Sequence, residues 1–271
     1  MPFVSNGQAN IAWDEQGSGD PVLLVMGHRY PRQMWFRVAP VLAEEYRVIT
    51  FDNRGAGQTT TAATSWTVED MAADAVAVMD AAGVERAHVY GVSMGGGIAQ
   101  VIALDYPDRV GALVLGCTAS SKATPGMTKL QVLGKTLPHL FGGQVARTTA
   151  VAKVLLYGSA QQAALIDEDV AMLLSVPSPK GGAKIQQLAI NGFVGTAARL
   201  SSITAPTLVI HGNEDVVVPL SAGRFLAEHI PGAELVVLDG AGHTYLTDKP
   251  VESNEVVRRF LEAHALADLA P

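Results

Sequence analysis

The segment His88-Val89-Tyr90-Gly91-Val92-Ser93-Met94-Gly95-Gly96-Gly97-Ile98-Ala99-Gln100 reads as a short apolar strand, a sharp turn and the start of a helix. Its turn is a Gly-x-Ser-x-Gly pentapeptide. The two glycines around Ser93 leave room for a strained backbone that holds the serine Oγ above a sheet. The N–H of Met94 sits at the helix N-terminus, where it faces any oxyanion formed at the serine. Such a pentapeptide can arise by chance in a chain with 27 Gly among 271 residues; the strand–turn–helix context is what gives it meaning.

A serine hydroxyl is a poor nucleophile without a base, and the base needs a carboxylate to fix its tautomer. Behind an elbow of this kind the order along the chain is serine, acid, histidine. His243, in Asp239-Gly240-Ala241-Gly242-His243, follows the last apolar run and is the candidate base. His139 and His229 fall in helical patterns and His264 near the end of the chain, while His88 and His211 lie in or at the end of strands, as satisfied structural histidines would. Asp215, in His211-Gly212-Asn213-Glu214-Asp215, is the candidate acid, with Glu214 and Asp239 as rivals. A second oxyanion donor should come from the turn after Val22–Val25. There Gly27 allows close backbone approach and His28 offers its N–H. The His28 side chain reads equally as a pocket wall or an exposed loop residue.

Outward from this segment, strands read at Ile11–Trp13, Val22–Val25, Val48–Phe51, His88–Tyr90, Ala112–Leu115, Thr207–Ile210 and Leu235–Leu238. The later ones are continuous Val, Leu and Ile runs, as expected of parallel strands covered on both faces. Helical patterns lie between them. One opens with Thr67 as N-cap and an acid three residues on, and reaches Gly83 at its end. Gly17-Ser18-Gly19-Asp20-Pro21 reads as the turn of an antiparallel hairpin between the opening strands. The fold class is α/β, a mostly parallel central sheet flanked by helices. Between Ala119 and Leu200 the alternation stops, and helix-like pieces appear at Leu130–Phe141, Val151–Tyr157, Gln161–Leu174 and Ala183–Phe193. Residues 1–118 and 201–271 therefore read as a core, and 119–200 as an inserted helical cap.

Hydrophobic residues make up 48% of the chain, enough for a large core. The formal charge is −7 with no basic run, which argues against nucleic acid as a partner. A single cysteine, Cys117, excludes an intramolecular disulfide and a thiolate-rich metal site. No apolar run approaches the length of a membrane span and no secretory leader is evident, so a cytoplasmic location is expected. Residues 119–200 carry eight Lys and Arg against three Asp and Glu, whereas the remainder carries eleven against twenty-three. A basic cap over the site would favour an anionic substrate; solvated helix faces are the plainer reading.

Three further stretches extend the pattern. Phe51-Asp52-Asn53-Arg54-Gly55-Ala56-Gly57-Gln58-Thr59 resembles the D-x-R-G-x-G-x-S/T loop of the α/β-hydrolase superfamily, Leu208–Pro219 its acid-bearing loop, and Gly240–His243 its base loop. With the elbow, these four motifs resemble the serine-nucleophile esterase and lactonase branch over nearly the whole chain. Enol-lactonases of the 3-oxoadipate type, aclacinomycin-type methylesterases and haloperoxidase-like hydrolases are the similar subfamilies. Met26-Gly27-His28 stands where many members have His-Gly before the oxyanion residue.

The resemblance implies hydrolysis of an ester or lactone by Ser93, His243 and Asp215, with an oxyanion hole from the N–H groups of His28 and Met94. It implies no metal or organic cofactor. The expected partner is a small-molecule ester or lactone, neither membrane nor nucleic acid, and a homo-oligomer stays open. Gly27, Leu137, Leu140, Phe141, Tyr157 and Phe193 are the candidate substrate-binding residues, with Leu155 and Met172 beside them; packing among cap helices is the alternative for each apolar one. A carbon–carbon bond hydrolase of β-diketone-like substrates, a cofactor-free perhydrolase and a non-catalytic receptor are the rival classes.

Overall fold

In a computed structural model that describes residues 2–121 and 144–269, the apolar runs stand side by side in one nine-stranded sheet. The strands are β1 (Phe3–Asn6), β2 (Ala9–Gln16), β3 (Pro21–Val25), β4 (Arg47–Phe51), β5 (Thr60–Thr61), β6 (Ala87–Val92), β7 (Val110–Gly116), β8 (Thr207–Gly212) and β9 (Glu234–Leu238). Their order is β1-β2-β4-β3-β6-β7-β8-β9, with β5 pairing β2. Every pairing from β4 through β3 to β9 is parallel, while β1, β2 and β5 pair antiparallel.

Alternate residues of the central strands enter opposite layers. Leu23, Val25, Val89, Leu113 and Leu115 join one buried cluster with the helices α2 (Val68–Ala81) and α3 (Met94–Asp105). Val22, Leu24, Tyr90, Ala112 and Val114 join another, under α1 (Ala39–Leu42) and a C-terminal helix (Pro250–Glu262). Both faces being dry is why these strands read as unbroken apolar runs. The Thr67 capping box forms, its hydroxyl accepting from Asp70 N–H while the Asp70 carboxylate accepts from Thr67 N–H. Gly83 follows in left-handed backbone at φ 66°.

The expected hairpin at 17–21 is not there. β4 lies between β2 and β3, and the hairpin sits upstream, joining β1 to β2 at Gly7. Gly17 and Gly19 have φ 78° and 111°, and their backbone passes against the carbonyls of Ala43, Glu45 and Tyr46, where a Cβ has no room. The glycines thus serve a crossing at the entrance to β4, and a turn signal alone does not say which strands it joins.

Between β7 and β8 the described residues form α4 (Gln144–Leu155), α5 (Ala163–Ser175), α6 (Gly182–Gly192) and a 3-10 turn at Ala197–Ser202, with no strand among them. The helix read at Leu130–Phe141 lies outside the described residues, and the one read at Val151–Tyr157 begins earlier and ends at Leu155. The remaining helices are α7 (Leu220–His229), α8 (Tyr245–Asp248) and α9 (Pro250–Glu262). Ile230, extended before Pro231, stops α7. Among the described residues, no helix is long and apolar enough to cross a membrane.

Candidate active site

Ser93 joins β6 to α3 at φ 55° and ψ −121°, a backbone region costing on the order of 1–3 kcal/mol for a residue with a side chain. Its neighbours enforce the turn. A Cβ on Gly91 would run into the Gly95 carbonyl, and one on Gly95 would sit 2.7 Å from the Met26 carbonyl oxygen. Ser93 N–H donates to Gly116 at 2.9 Å, and the Thr118 hydroxyl donates to the Ser93 carbonyl at 2.7 Å.

The His243 Nε2 lies 3.0 Å from Ser93 Oγ, and its Nδ1 lies 2.7 Å from Asp215 Oδ2. A carboxylate can only accept, so Nδ1 carries the proton and Nε2 is left to receive one from the serine. The other Asp215 oxygen accepts the N–H groups of Val217 and Val218 at 2.8 Å each. Burial alone would raise the Asp215 carboxyl, but the His243 charge, hydrogen bonds from His211 and His243, and the Val218 N–H bring it down to about 2. Burial likewise opposes the charged His243 imidazole. The Asp215 carboxylate beside it works the other way, and the imidazole pKa is raised well above its usual value.

The rival acids are engaged elsewhere. Glu214 accepts from the N–H and hydroxyl of Ser159, and Asp239 accepts from the Asn213 amide. His211 is more than a satisfied structural histidine. Its Nε2 donates to the Val218 carbonyl at 2.8 Å and stands 3.4 Å from Asp215, while its Nδ1 is buried without a partner. His88 accepts from Ala112 N–H, leaves its Nε2 unpartnered, and is pushed down to about 4, chiefly by burial. Cys117, Asp215 and His243 bring ligand-type atoms within 4.8 Å of one another. These groups already bond to each other, the Cys117 thiol donating to the His243 carbonyl at 3.0 Å.

Gly27 passes so close to Ser93 that a Cβ on it would stand 3.2 Å from the serine Cβ. The next residues are pinned by α6. His28 Nε2 donates to the Ala183 carbonyl at 2.8 Å, and Arg29 N–H donates to Gln186 Oε1 at 2.6 Å. The fully buried Gln186 in turn donates to the Arg54 carbonyl at 2.7 Å. Arg29 itself stands in left-handed backbone at φ 63°. The Asp52–Thr59 loop braces the same turn, with Asp52 accepting from Arg32 N–H at 2.7 Å and Asn53 donating to the Met26 carbonyl at 2.8 Å. Where α6 meets this loop the contact is backbone on backbone: a Cβ on Gly182 would lie 2.6 Å from the Gly55 Cα.

A cavity of about 590 Å³ opens over Ser93 and His243. Of the residues nominated from sequence, Gly27, His28, Leu155 and Tyr157 line it. Phe193 does not; its ring is partly buried against the core cluster beside α3. Met172 also packs against the core rather than lining the cavity. Leu137, Leu140 and Phe141 lie outside the described residues. Sequence reasoning sought the pocket in the cap and at Gly27 and His28, and so missed Arg29, Tyr30, Met34, Phe36 and Arg37 on the same stretch after β3. The glycine and the run of large side chains behind it were the available signal. It also missed Asp169, which accepts from Tyr157, Thr247 and Arg37 and ties α5 to the core.

A family profile described as alpha/beta hydrolase fold matches residues 20–250. The chain belongs to the alpha/beta hydrolase fold family. Relatives of this hydrolase span nearly its whole length. BpoC of Mycobacterium tuberculosis, named as a non-heme bromoperoxidase, is 29% identical over 259 residues, which is 93% of this chain and 97% of that one. A thermophilic esterase from Thermogutta terrifontis has a TM-score of 0.81 at 26% identity, covering 97% and 98% of the two chains. Est816, described as an N-acyl homoserine lactone degrading enzyme, has a TM-score of 0.76 at 30% identity, covering 96% and 100%.

Proposed function

We propose that this hydrolase cleaves a carboxylic ester or lactone of a small to medium, largely apolar or carboxylate-bearing substrate through an acyl-enzyme on Ser93. The carrying observation is the relay at the base of the cavity, Ser93 Oγ to His243 at 3.0 Å and His243 to Asp215 at 2.7 Å. The esterase and lactonase activities named for two of its structural relatives point the same way.

Ser93 Oγ attacks the carbonyl carbon while His243 Nε2 takes the hydroxyl proton. The carbonyl oxygen gains the charge and is met by the N–H groups of Met94 and His28. His243 returns the proton to the leaving alcohol, or to the opened alkoxide of a lactone. Water then repeats the sequence and frees the acid and Ser93. Asp215 stays ionised throughout and balances the imidazolium. Losing one oxyanion donor in such a site costs about 10²–10³ in turnover.

The test is fluorophosphonate labelling followed by peptide mass spectrometry, run beside an ester and lactone panel. Labelling at Ser93, together with loss of turnover in Ser93→Ala, is the expected result. A label elsewhere, or turnover surviving in Ser93→Ala, overturns the reading. The bromoperoxidase name of BpoC favours one variation, interception of the same acyl-enzyme by peroxide to give a peracid. Peroxide-dependent product in the same panel distinguishes it.

A further inference from the structure

Among the described residues, the cavity over Ser93 holds one guanidinium without a partner. Five ionisable side chains with basic or acidic groups line it beside Cys117 and the tyrosines: His28, Arg29, Arg37, Asp169 and His243. Arg37 is matched by Glu168 at 2.9 Å and Asp169 at 3.2 Å. His243 is matched by Asp215 at 2.7 Å. Burial lowers the His28 pKa, and the ring donates to the Ala183 carbonyl, so it stays uncharged at neutral pH. Arg29 is left over. Among the described residues its guanidinium has neither an ion pair nor a hydrogen bond. Residues 122–143, outside the described part, contain three lysines and no Asp or Glu, so no carboxylate there can cancel it.

Two further observations tie this charge to the pocket. Arg29 is held in left-handed backbone at φ 63° by the buried Gln186, which fixes where its side chain leaves the chain. The next residue, Tyr30, also lines the cavity, and its hydroxyl has no hydrogen-bond partner among the described residues. Burial pushes that phenol up to about 12, so it keeps its proton and can donate. The Arg29 charge acts on both neighbours, lowering the pKa of Tyr30 and of His28.

We propose that Arg29 and the Tyr30 hydroxyl form a carboxylate subsite, and that the preferred ester or lactone is a monoanion carrying its charge away from the scissile carbonyl. This rests on the ester-hydrolase reading above and narrows its substrate class. A guanidinium without a partner can take one carboxylate, and beside a neutral donor it presents the N–H and O–H groups a carboxylate accepts. The apolar remainder of the cavity takes the carbon chain between the two ends.

The experiment compares kcat/KM for three esters: 4-nitrophenyl butyrate, 4-nitrophenyl hemisuccinate, in which a carboxylate replaces the terminal methyl, and 4-carboxyphenyl butyrate, with the charge on the leaving group. At least one anionic ester is expected to exceed the butyrate by about tenfold or more. Arg29→Met should collapse that ratio, Arg29→Lys should keep part of it, and added salt should lower it in the wild type. Calorimetric binding of monobutyl succinate to Ser93→Ala, lost in the Ser93→Ala/Arg29→Met double variant, reads the subsite without turnover. No anionic preference in the wild type, a ratio unchanged in Arg29→Met, or equal binding to both Ser93→Ala proteins overturns the subsite. Absence of Ser93-dependent turnover with all three esters, with binding still dependent on Arg29, would instead refute the ester-hydrolase reading.

Discussion

The Asp248 carboxylate accepts the backbone N–H groups of Gly158 and Gly242, each at 2.8 Å. Gly242 precedes His243, and Gly158 follows Tyr157 of the cavity wall. One buried side chain therefore sets the loop that carries the base against the segment that leaves α4.

Asp248→Ala leaves two buried N–H groups without an acceptor, on the order of 1–3 kcal/mol each. Thermal unfolding should fall by roughly 5–15 °C in a chain of this size. Asp248→Asn should lose less, because its amide oxygen still accepts, and its NH₂ would occupy the place where Asp248 Oδ1 now lacks a partner. An unchanged unfolding temperature for Asp248→Ala would show that water satisfies these groups.

In the proposed reaction His243 must be uncharged to take the Ser93 proton, and its pKa is raised, so the imidazolium persists to higher pH than usual. kcat/KM should therefore climb with pH and level off, with the acid-side midpoint above 6.5. Asp215→Asn removes the anion that holds the proton on. The midpoint should then move down while the plateau drops by about 10⁴. A midpoint unmoved in Asp215→Asn would assign the acid limb to another group.

Gln186→Leu removes the acceptor of Arg29 N–H and the donor to Arg54 at once. The turn carrying the His28 N–H is then free to relax out of its left-handed conformation. For a neutral ester, kcat should drop about 10- to 100-fold with KM little changed, since the proposed oxyanion donor is misplaced. Equal losses in kcat and in affinity for a non-reactive ester analogue would point to general loosening instead.

Gly95→Ala forces a Cβ against the carbonyls of Val25 and Met26 at the end of β3. The strand and helix must part, which typically costs 1–3 kcal/mol, and here the colliding atoms are backbone. Lower soluble yield and a lower unfolding temperature are expected, with Gly83→Ala as a milder control that meets left-handed backbone but no neighbouring atom.

Ser93, Asp215 and His243 were readable because each sits in a short motif whose turn chemistry is local and whose order along the chain is fixed. The strands were readable because burial on both faces leaves no polar residue to interrupt them. Long-range partners were not. Nothing around Gln186 or Asp248 distinguishes them from other polar helix residues until the fold carries them to Arg29 and Gly242. The glycines at 17 and 19 announced a turn, yet which strand lies beside β2 depends on the later arrival of β4. Phe193 had the apolar spacing of a pocket residue, and the same spacing marks a side chain packed on the core, where it lies.

The contact between Gly182 and Gly55 contains no side chain at all. Selection acting on substrate choice has therefore no handle there and can only work around it. A helix transplanted from another hydrolase onto this core would need a glycine in its first turn before any of its pocket residues could matter. Libraries that exchange the region over the cavity should hold both positions fixed, because the seam limits which replacements can dock before specificity is tested.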